Sequence, residues 1–178
     1  ICIVALGLTS DMVGQNCANL SGIINTYAPV TGISGNVVTI GTTSGAAAPF
    51  AVGDYVVLIQ MTGIPPVHPG SNLGNYELRL ISSISGSNII LDGITKTYSH
   101  LTEKVQLIRA PHCPTGTVSA TVTAKVWDGT TGGVVALHGG TLTLNADIDA
   151  TGTGFSQTNL PISSNMSSLS SGNGSIDG

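Results

Sequence analysis

A chain of 178 residues with 41% hydrophobic content carries enough apolar material for one large or two small cores. Only 8% of the residues are charged, against about a quarter in an ordinary globular domain, while glycine alone fills 24 positions. Five basic residues against nine acidic ones leave a net charge of -4 with no Lys/Arg cluster, which argues against a nucleic-acid partner.

Helix surfaces are built from Glu, Lys, Arg and Gln, whereas Val, Ile, Thr and glycine turns build sheets, so almost no helix is expected. The chain opens on Ile1-Cys2-Ile3-Val4-Ala5-Leu6-Gly7-Leu8 and a polar stretch ending Met12-Val13-Gly14-Gln15. This reads as the apolar core and cleavage region of a secretory signal peptide, residues 1–15, or alternatively as a genuine first strand. It is too short to span a bilayer, and no transmembrane segment is expected elsewhere. Secretion or display at the cell surface follows from the leader reading. Without the leader two cysteines remain after Cys2, namely Cys17 and Cys113. A disulfide between them would close a loop of about a hundred residues, worth about 4 kcal/mol in the loop-entropy model, and two unrelated buried thiols are the alternative.

Residues 16–110 say nearly the same thing twice. Gly32-Ile33-Ser34-Gly35-Asn36-Val37-Val38 is answered by Ser83-Ile84-Ser85-Gly86-Ser87-Asn88-Ile89, and Tyr55-Val56-Val57-Leu58-Ile59-Gln60 by Lys104-Val105-Gln106-Leu107-Ile108-Arg109. Each unit reads as strand, turn, strand, excursion and a strongly apolar strand, which predicts a duplicated small β-barrel or sandwich. Pro29 is expected to break the first strand pair. The prolines at 65, 66 and 69 mark a surface excursion, and Pro111-His112-Cys113-Pro114 reads as a hinge.

From Thr115 the pattern changes. Strict alternation over Thr117–Ala124 is followed by the turn Trp127-Asp128-Gly129-Thr130-Thr131-Gly132-Gly133 and by short runs at 134–137, 141–144 and 146–150 separated by glycines. Short strands without hairpin dipeptides suit the first rungs of a parallel β-helix over 115–155, with Ala136, Leu142, Leu144 and Ile148 inward; an ordinary hairpin sheet is the competing reading. Residues 156–178, rich in Ser, Gly and Asn, form a tail or the first loop of a longer solenoid. An open solenoid end invites self-association or continuation of the chain.

Several phrases together, Cys17-Ala18-Asn19-Leu20-Ser21-Gly22-Ile23, Phe50-Ala51-Val52-Gly53-Asp54, Gly74-Asn75-Tyr76-Glu77 and Trp127-Asp128-Gly129-Thr130-Thr131-Gly132-Gly133, resemble the N-terminal region of large adhesin-like secreted proteins of Bacteroidetes. The resemblance spans about residues 16–155. It implies export, through the type IX pathway, and a place near the start of a long surface or secreted protein; the hydroxyl- and amide-rich, charge-poor composition separately suggests polysaccharide or cell-surface material as a partner. The resemblance lends no catalytic residue and no support to the disulfide.

Reactive chemistry has few footholds. Asp147 and Asp149 lie two apart on a predicted strand and so point to one face, about 6–7 Å apart, which suits an inverting glycosidase or an oxygen-ligand Ca2+ site. Asp128 across a turn is the nearest third carboxylate, and His138 beside Gly139-Gly140 would approach Asp128 or Asp147 if rungs stack. Trp127 offers a face for a sugar ring or a cap for the first rung's core. No other cofactor and no metal-ligand spacing is evident among the four histidines, and no nucleophile elbow or phosphate loop is present. The leading expectation is an exported, non-enzymatic all-β module that binds surfaces or polysaccharide. The alternatives are a carbohydrate-active enzyme, hydrolase or lyase, at Asp128, Asp147 and Asp149, and a self-assembling structural subunit.

Overall fold

The computed structural model describes residues 2–6, 17–46, 48–63 and 70–154. His68 and the stretch 156–178 therefore lie outside the described residues. No helix forms among the described residues. The strands are β1 (Cys2–Leu6), β2 (Cys17–Ile23), β3 (Thr26–Ser34), β4 (Val37–Ile40), β5 (Ser44–Gly45), β6 (Tyr55–Gln60), β7 (Tyr76–Ser85), β8 (Asn88–Leu91), β9 (Val105–Ala110), β10 (His112–Thr123) and β11 (Val135–Leu144).

Six of them close a barrel in the order β3-β4-β8-β7-β6-β9, with β9 returning to β3 and the short β5 added beside β3. Closure leaves no ring edge unpaired, which is how a small antiparallel sheet avoids presenting open backbone. The two sequence repeats are its two halves. Val38 pairs with Ile89 across β4 and β8, and Leu58 pairs with Leu107 across β6 and β9, so in both pairings a residue faces its own counterpart in the other repeat. The remaining contacts follow the same two-fold: Tyr27 faces Ile108 as Tyr76 faces Ile59, and Ile33 faces Val38 as Ile84 faces Ile89. Matching turns at Gly35 and Gly86, with φ of 56° and 58°, close the two hairpins. Glycine is the residue that enters this left-handed region without strain.

Inside the barrel Val30, Val38, Val56, Leu58, Ile81, Ile89, Leu91, Tyr98, Val105 and Leu107 form one core. The strands β6 and β9 are buried on both faces, because their outer residues Val57, Ile59, Ile108 and Ala110 pack with Tyr27 against Val134 and Ala136. That is why these two strands read as continuous apolar runs and not as alternation. Pro29 does not break β3. It sits where β3 leaves β9, after the Pro29–Gln106 pair, and continues along β4 from Val30.

The other four strands form a parallel sheet in the order β1-β11-β10-β2. Here several expectations need correction. Residues 17–23, expected within the barrel module, are β2 and pair with β10 instead, so the barrel is inserted between two neighbouring strands of the parallel sheet. The segment 111–114 is no hinge: one residue separates β9 from β10, and Pro111 accepts a hydrogen bond from the His138 amide. Gly139-Gly140 does not divide two strands, since β11 runs through it. A Cβ at Gly139 would stand 2.5 Å from the Cys113 carbonyl oxygen, and at Gly140 2.8 Å from that of Pro114. The glycines allow a close approach of β10, and do not interrupt the strand. Leu144, expected inward, is 60% exposed, whereas Ala136 is buried and Leu142 and Ile148 are half-buried against neighbouring cores.

Candidate functional site

The parallel sheet is built on one repeated step. His112 lies opposite His138, Thr117 opposite Thr143 and Val122 opposite Ile148, each 26 residues on. Beyond the strands the same stacking continues: the amides of Asn145 and Asp149 donate to the carbonyls of Val118 and Val122, and the Trp127 amide donates to that of Thr153. Residues 138–153 thus run in parallel beside residues 112–127 at a constant offset of 26. Val118, Val122, Ala124, Val135 and Leu137 fill the interior with Cys17, Leu20 and Cys113, and Ala146, Ile148 and Ala150 pack against them. Cys17 and Cys113 are joined by a disulfide, Cα to Cα 5.7 Å, across the neck where the barrel is inserted.

Asp128 occupies the turn between β10 and β11. One carboxylate oxygen accepts from the amides of Thr130 and Thr131 at 2.9 and 2.8 Å, and the other meets the Lys125 ammonium. Burial works against its charge, but the hydrogen bonds from Lys125, Thr131 and Thr130 prevail and hold the carboxyl well below its usual range. It is a turn-forming carboxylate, with its acceptor capacity spent on the turn itself. Trp127 is half-buried against the core that holds Tyr27, Ile108 and Val134. Asp147 and Asp149 are exposed and flank the inward Ile148, as the period-2 reading expects. The Asp149 carboxylate accepts from the Thr151 amide at 2.8 Å, and hydrogen bonds from Thr151 lower its pKa.

His138 does not reach the aspartates. It is 6% exposed, and its ring stacks on Tyr55 of the barrel with centroids 3.8 Å apart. Its Nδ1 lies 2.6 Å from the Nδ1 of His112, 26 residues earlier. Burial and the neighbouring His112 both lower its pKa. Among the described residues no group of three or more His, Cys, Asp or Glu is placed to hold a metal ion.

The polar groups that weld barrel to coil were not singled out from the sequence. Asn25, fully buried, donates to the carbonyls of Arg109 and Ala136 and accepts from the Ala136 amide at 3.0 Å. The Gln106 amide forms a reciprocal pair with the backbone of Gly132, both bonds 2.9 Å. The Tyr27 hydroxyl donates to the Val134 carbonyl at 2.7 Å, and burial pushes its pKa up to about 12 despite a hydrogen bond from the Lys125 amide. Each side chain serves backbone that has no strand partner at that point. The signal was present in Gln106: a carboxamide between Val105 and Leu107 in an apolar run needs a buried partner.

A second buried network lies at one end of the barrel. Glu77 accepts from the amides of Thr95 and Lys96 at 2.9 Å, from the Tyr98 hydroxyl at 3.1 Å, and from the Arg79 guanidinium. Burial raises its pKa, but the hydrogen bonds from Thr95, Lys96 and Arg79 outweigh that and hold it at about 2. The carboxylate fastens the 94–98 loop over the core, which is a structural duty. No helix among the described residues is long and apolar enough to cross a membrane. Comparison with known proteins matches the chain to no family model and to no curated protein.

Proposed function

We propose that this chain is an exported, non-enzymatic β-module in which a duplicated barrel caps the start of a β-solenoid, within an adhesin-like or matrix protein of the kind its N-terminal phrases resemble. Its task is to seed the stacking of coils and to hold a hydroxyl- and amide-rich surface against polysaccharide or other cell-surface material. The reading rests on the 26-residue step by which 138–153 lies on 112–127, with β2 as the coil before and the barrel inserted between them. Successive coils each bury an apolar strip against the next, which is the logic of a solenoid. A capping element at one end keeps such a stack from exposing its interior, and the barrel's outer face against Val134 and Ala136 fits that duty.

The carbohydrate-active alternative draws little from the geometry, because the Asp128 carboxylate is engaged by Lys125, Thr130 and Thr131 and His138 by His112 and Tyr55. The test is incubation with a panel of soluble and insoluble polysaccharides, assaying retained protein and newly released reducing ends together. Retention without release, unchanged in Asp147→Ala/Asp149→Ala, is expected. Release that the double substitution abolishes would overturn the proposal in favour of an enzyme.

A further inference from the structure

The barrel's two-fold gives Tyr27 a counterpart in the other repeat. Tyr27 faces Ile108 across β3 and β9, and Tyr76 faces Ile59 across β7 and β6, so both rings stand on the outer surface of the barrel. The segment that crosses each ring corresponds as well. Ser44-Gly45 pairs with Thr26 and Tyr27, and the Thr26 hydroxyl donates to the Ala46 carbonyl. In the other repeat the Asn75 side-chain amide donates to the Thr97 carbonyl, and Lys96 crosses Tyr76. The two rings end differently: Tyr27 is fully buried with its hydroxyl on the Val134 carbonyl, whereas Tyr76 is 49% exposed.

The crossing residues differ in the same sense. A Cβ at Gly45 would stand 2.6 Å from Cδ2 of Tyr27, so nothing larger than glycine fits between loop and ring. At Tyr76 the place is taken by a lysine, whose ammonium lies over the ring 5.3 Å from its centroid. Arg79, Arg109 and Lys125 each hold a carboxylate, but Lys96 is exposed and its ammonium meets none among the described residues. Glu77, which accepts from the Lys96 amide, is already answered by Arg79. A chain of net charge -4 thus presents, at this corner, an open aromatic face beside an uncompensated cation.

We propose that Tyr76 and Lys96 form a seat for an acidic pyranose of a polysaccharide. The proposal rests on the polysaccharide reading above and adds to it a place and a charge class. The sugar lays its C–H face on the tyrosine ring, whose face carries the negative end of the ring quadrupole. Its carboxylate takes the Lys96 ammonium, which an exposed cation–π contact holds only weakly and which a flexible stem lets swing off the ring. One such platform binds a single sugar weakly, and a polymer that repeats the acidic unit binds better through many contacts at once.

The probe is polygalacturonate, with its methyl ester as the same backbone without charge, each cast into a native gel that retards bound protein relative to a gel without polymer. The unsubstituted protein should be retarded by polygalacturonate and not by the ester, and salt should relieve the retardation. Tyr76→Ala and Lys96→Gln should each weaken binding about tenfold, and Tyr76→Phe, which keeps the ring, should not. Both side chains are exposed, so the denaturant midpoints should not move. Equal weakening by Lys104→Gln, at another exposed lysine, overturns the proposal, because the attraction would then be general to cations. Retardation that survives both Tyr76→Ala and Lys96→Gln, or that the ester matches, overturns the seat and leaves the polysaccharide reading standing. Failure to bind these two polymers while a neutral polysaccharide retains the protein does the same; retention by no polysaccharide at all overturns both readings.

Discussion

The barrel and the parallel stack solve one problem in opposite ways. Both must satisfy the backbone at the sheet edge, and the barrel does so by closing on itself through a two-fold that sets Val38 against Ile89 and Leu58 against Leu107. The stack cannot close. Its strands β10 and β11 pair at a step of 26 residues, and the sheet ends at β1 on one edge and at β2 on the other. A closed unit is finished by its own sequence, whereas an open one is finished by whatever comes next.

The largest expected effect breaks the barrel's symmetry at its axis. Leu58 and Leu107 are both fully buried and face each other, so Leu58→Ala and Leu107→Ala should each cost about 3–5 kcal/mol through lost burial and the cavity left behind. Because the two sites are counterparts, their denaturant midpoints should fall by similar amounts. A large difference between them would mean that the repeats, though alike in pairing, are unequal in packing.

Asn25→Ala attacks the weld between the regions. It leaves three buried backbone groups, the Arg109 and Ala136 carbonyls and the Ala136 amide, without their side-chain partner, at a cost of about 3 kcal/mol. The readout that sharpens the comparison is cooperativity. Tryptophan fluorescence follows Trp127, packed at the junction, while circular dichroism follows the whole sheet content. Coincident transitions are expected in the unsubstituted protein and separated ones in Asn25→Ala; coincident curves in both would show that apolar contact alone couples barrel to stack.

How much of this could be read beforehand depends on the distance over which each feature is encoded. The repeats were legible because each hairpin carries its own turn, Ser34-Gly35-Asn36 and Gly86-Ser87-Asn88, and its own apolar strand. The inward placing of Ile148 and the outward placing of Asp147 and Asp149 followed from local alternation. The membership of β2 did not, because its parallel partner Gly116 lies far along the chain from Cys17, and nothing near Cys17 names it. Gly139-Gly140 misled for a related reason: the glycines answer to carbonyls of Cys113 and Pro114 on another strand. Leu144 was placed inward by period, but it stands at the last position of β11 and is left exposed there. At the candidate site the residue types were legible and their partners were not. His138 was noticed, but its attachment to His112 and Tyr55 required knowing both the coil step and the barrel's seat.

Glu77 probes the barrel alone. Its carboxyl, held at about 2 against an ordinary 4.5, favours the folded state by about 3 kcal/mol when ionised. The sign follows from a depressed folded-state pKa. The contribution is fully present above pH 4.5, the unfolded value, and is lost as pH falls from there through about 2. Acid unfolding followed by circular dichroism should steepen across that interval. In Glu77→Gln the protein should be less stable at neutral pH by about 2–3 kcal/mol, with a flatter acid limb. An unchanged acid limb would move the acid sensitivity to other carboxylates.

The smallest effect belongs to the contact between barrel and stack, and it too depends on pH. His138 has a folded-state pKa below its ordinary 6.5, through burial first and the charge of His112 second. For a base this means that the neutral ring suits the folded state. The contribution is complete above pH 6.5 and declines as pH falls through the lowered value. The physical reason is direct: a charge on the His138 ring would be buried against Tyr55 and would stand beside His112, whose Nδ1 is 2.6 Å away. The other ionisable groups on the barrel strands beside the pair are Tyr55, in ring contact with both, and Asp54 and Arg109, which neutralise each other through hydrogen bonds of 2.7 and 2.9 Å. They offer a charged His138 no unpaired carboxylate. Between pH 7.5 and 5.5 the denaturant midpoint of the unsubstituted protein should therefore fall, and in His138→Phe, which keeps a ring against Tyr55, it should fall less. The Glu77 limb, which begins lower on the pH scale, should be the same in both. If His138→Phe titrates like the unsubstituted protein over this interval, the histidine pair does not govern the junction, and its stability is set by the amide clasps of Asn25 and Gln106.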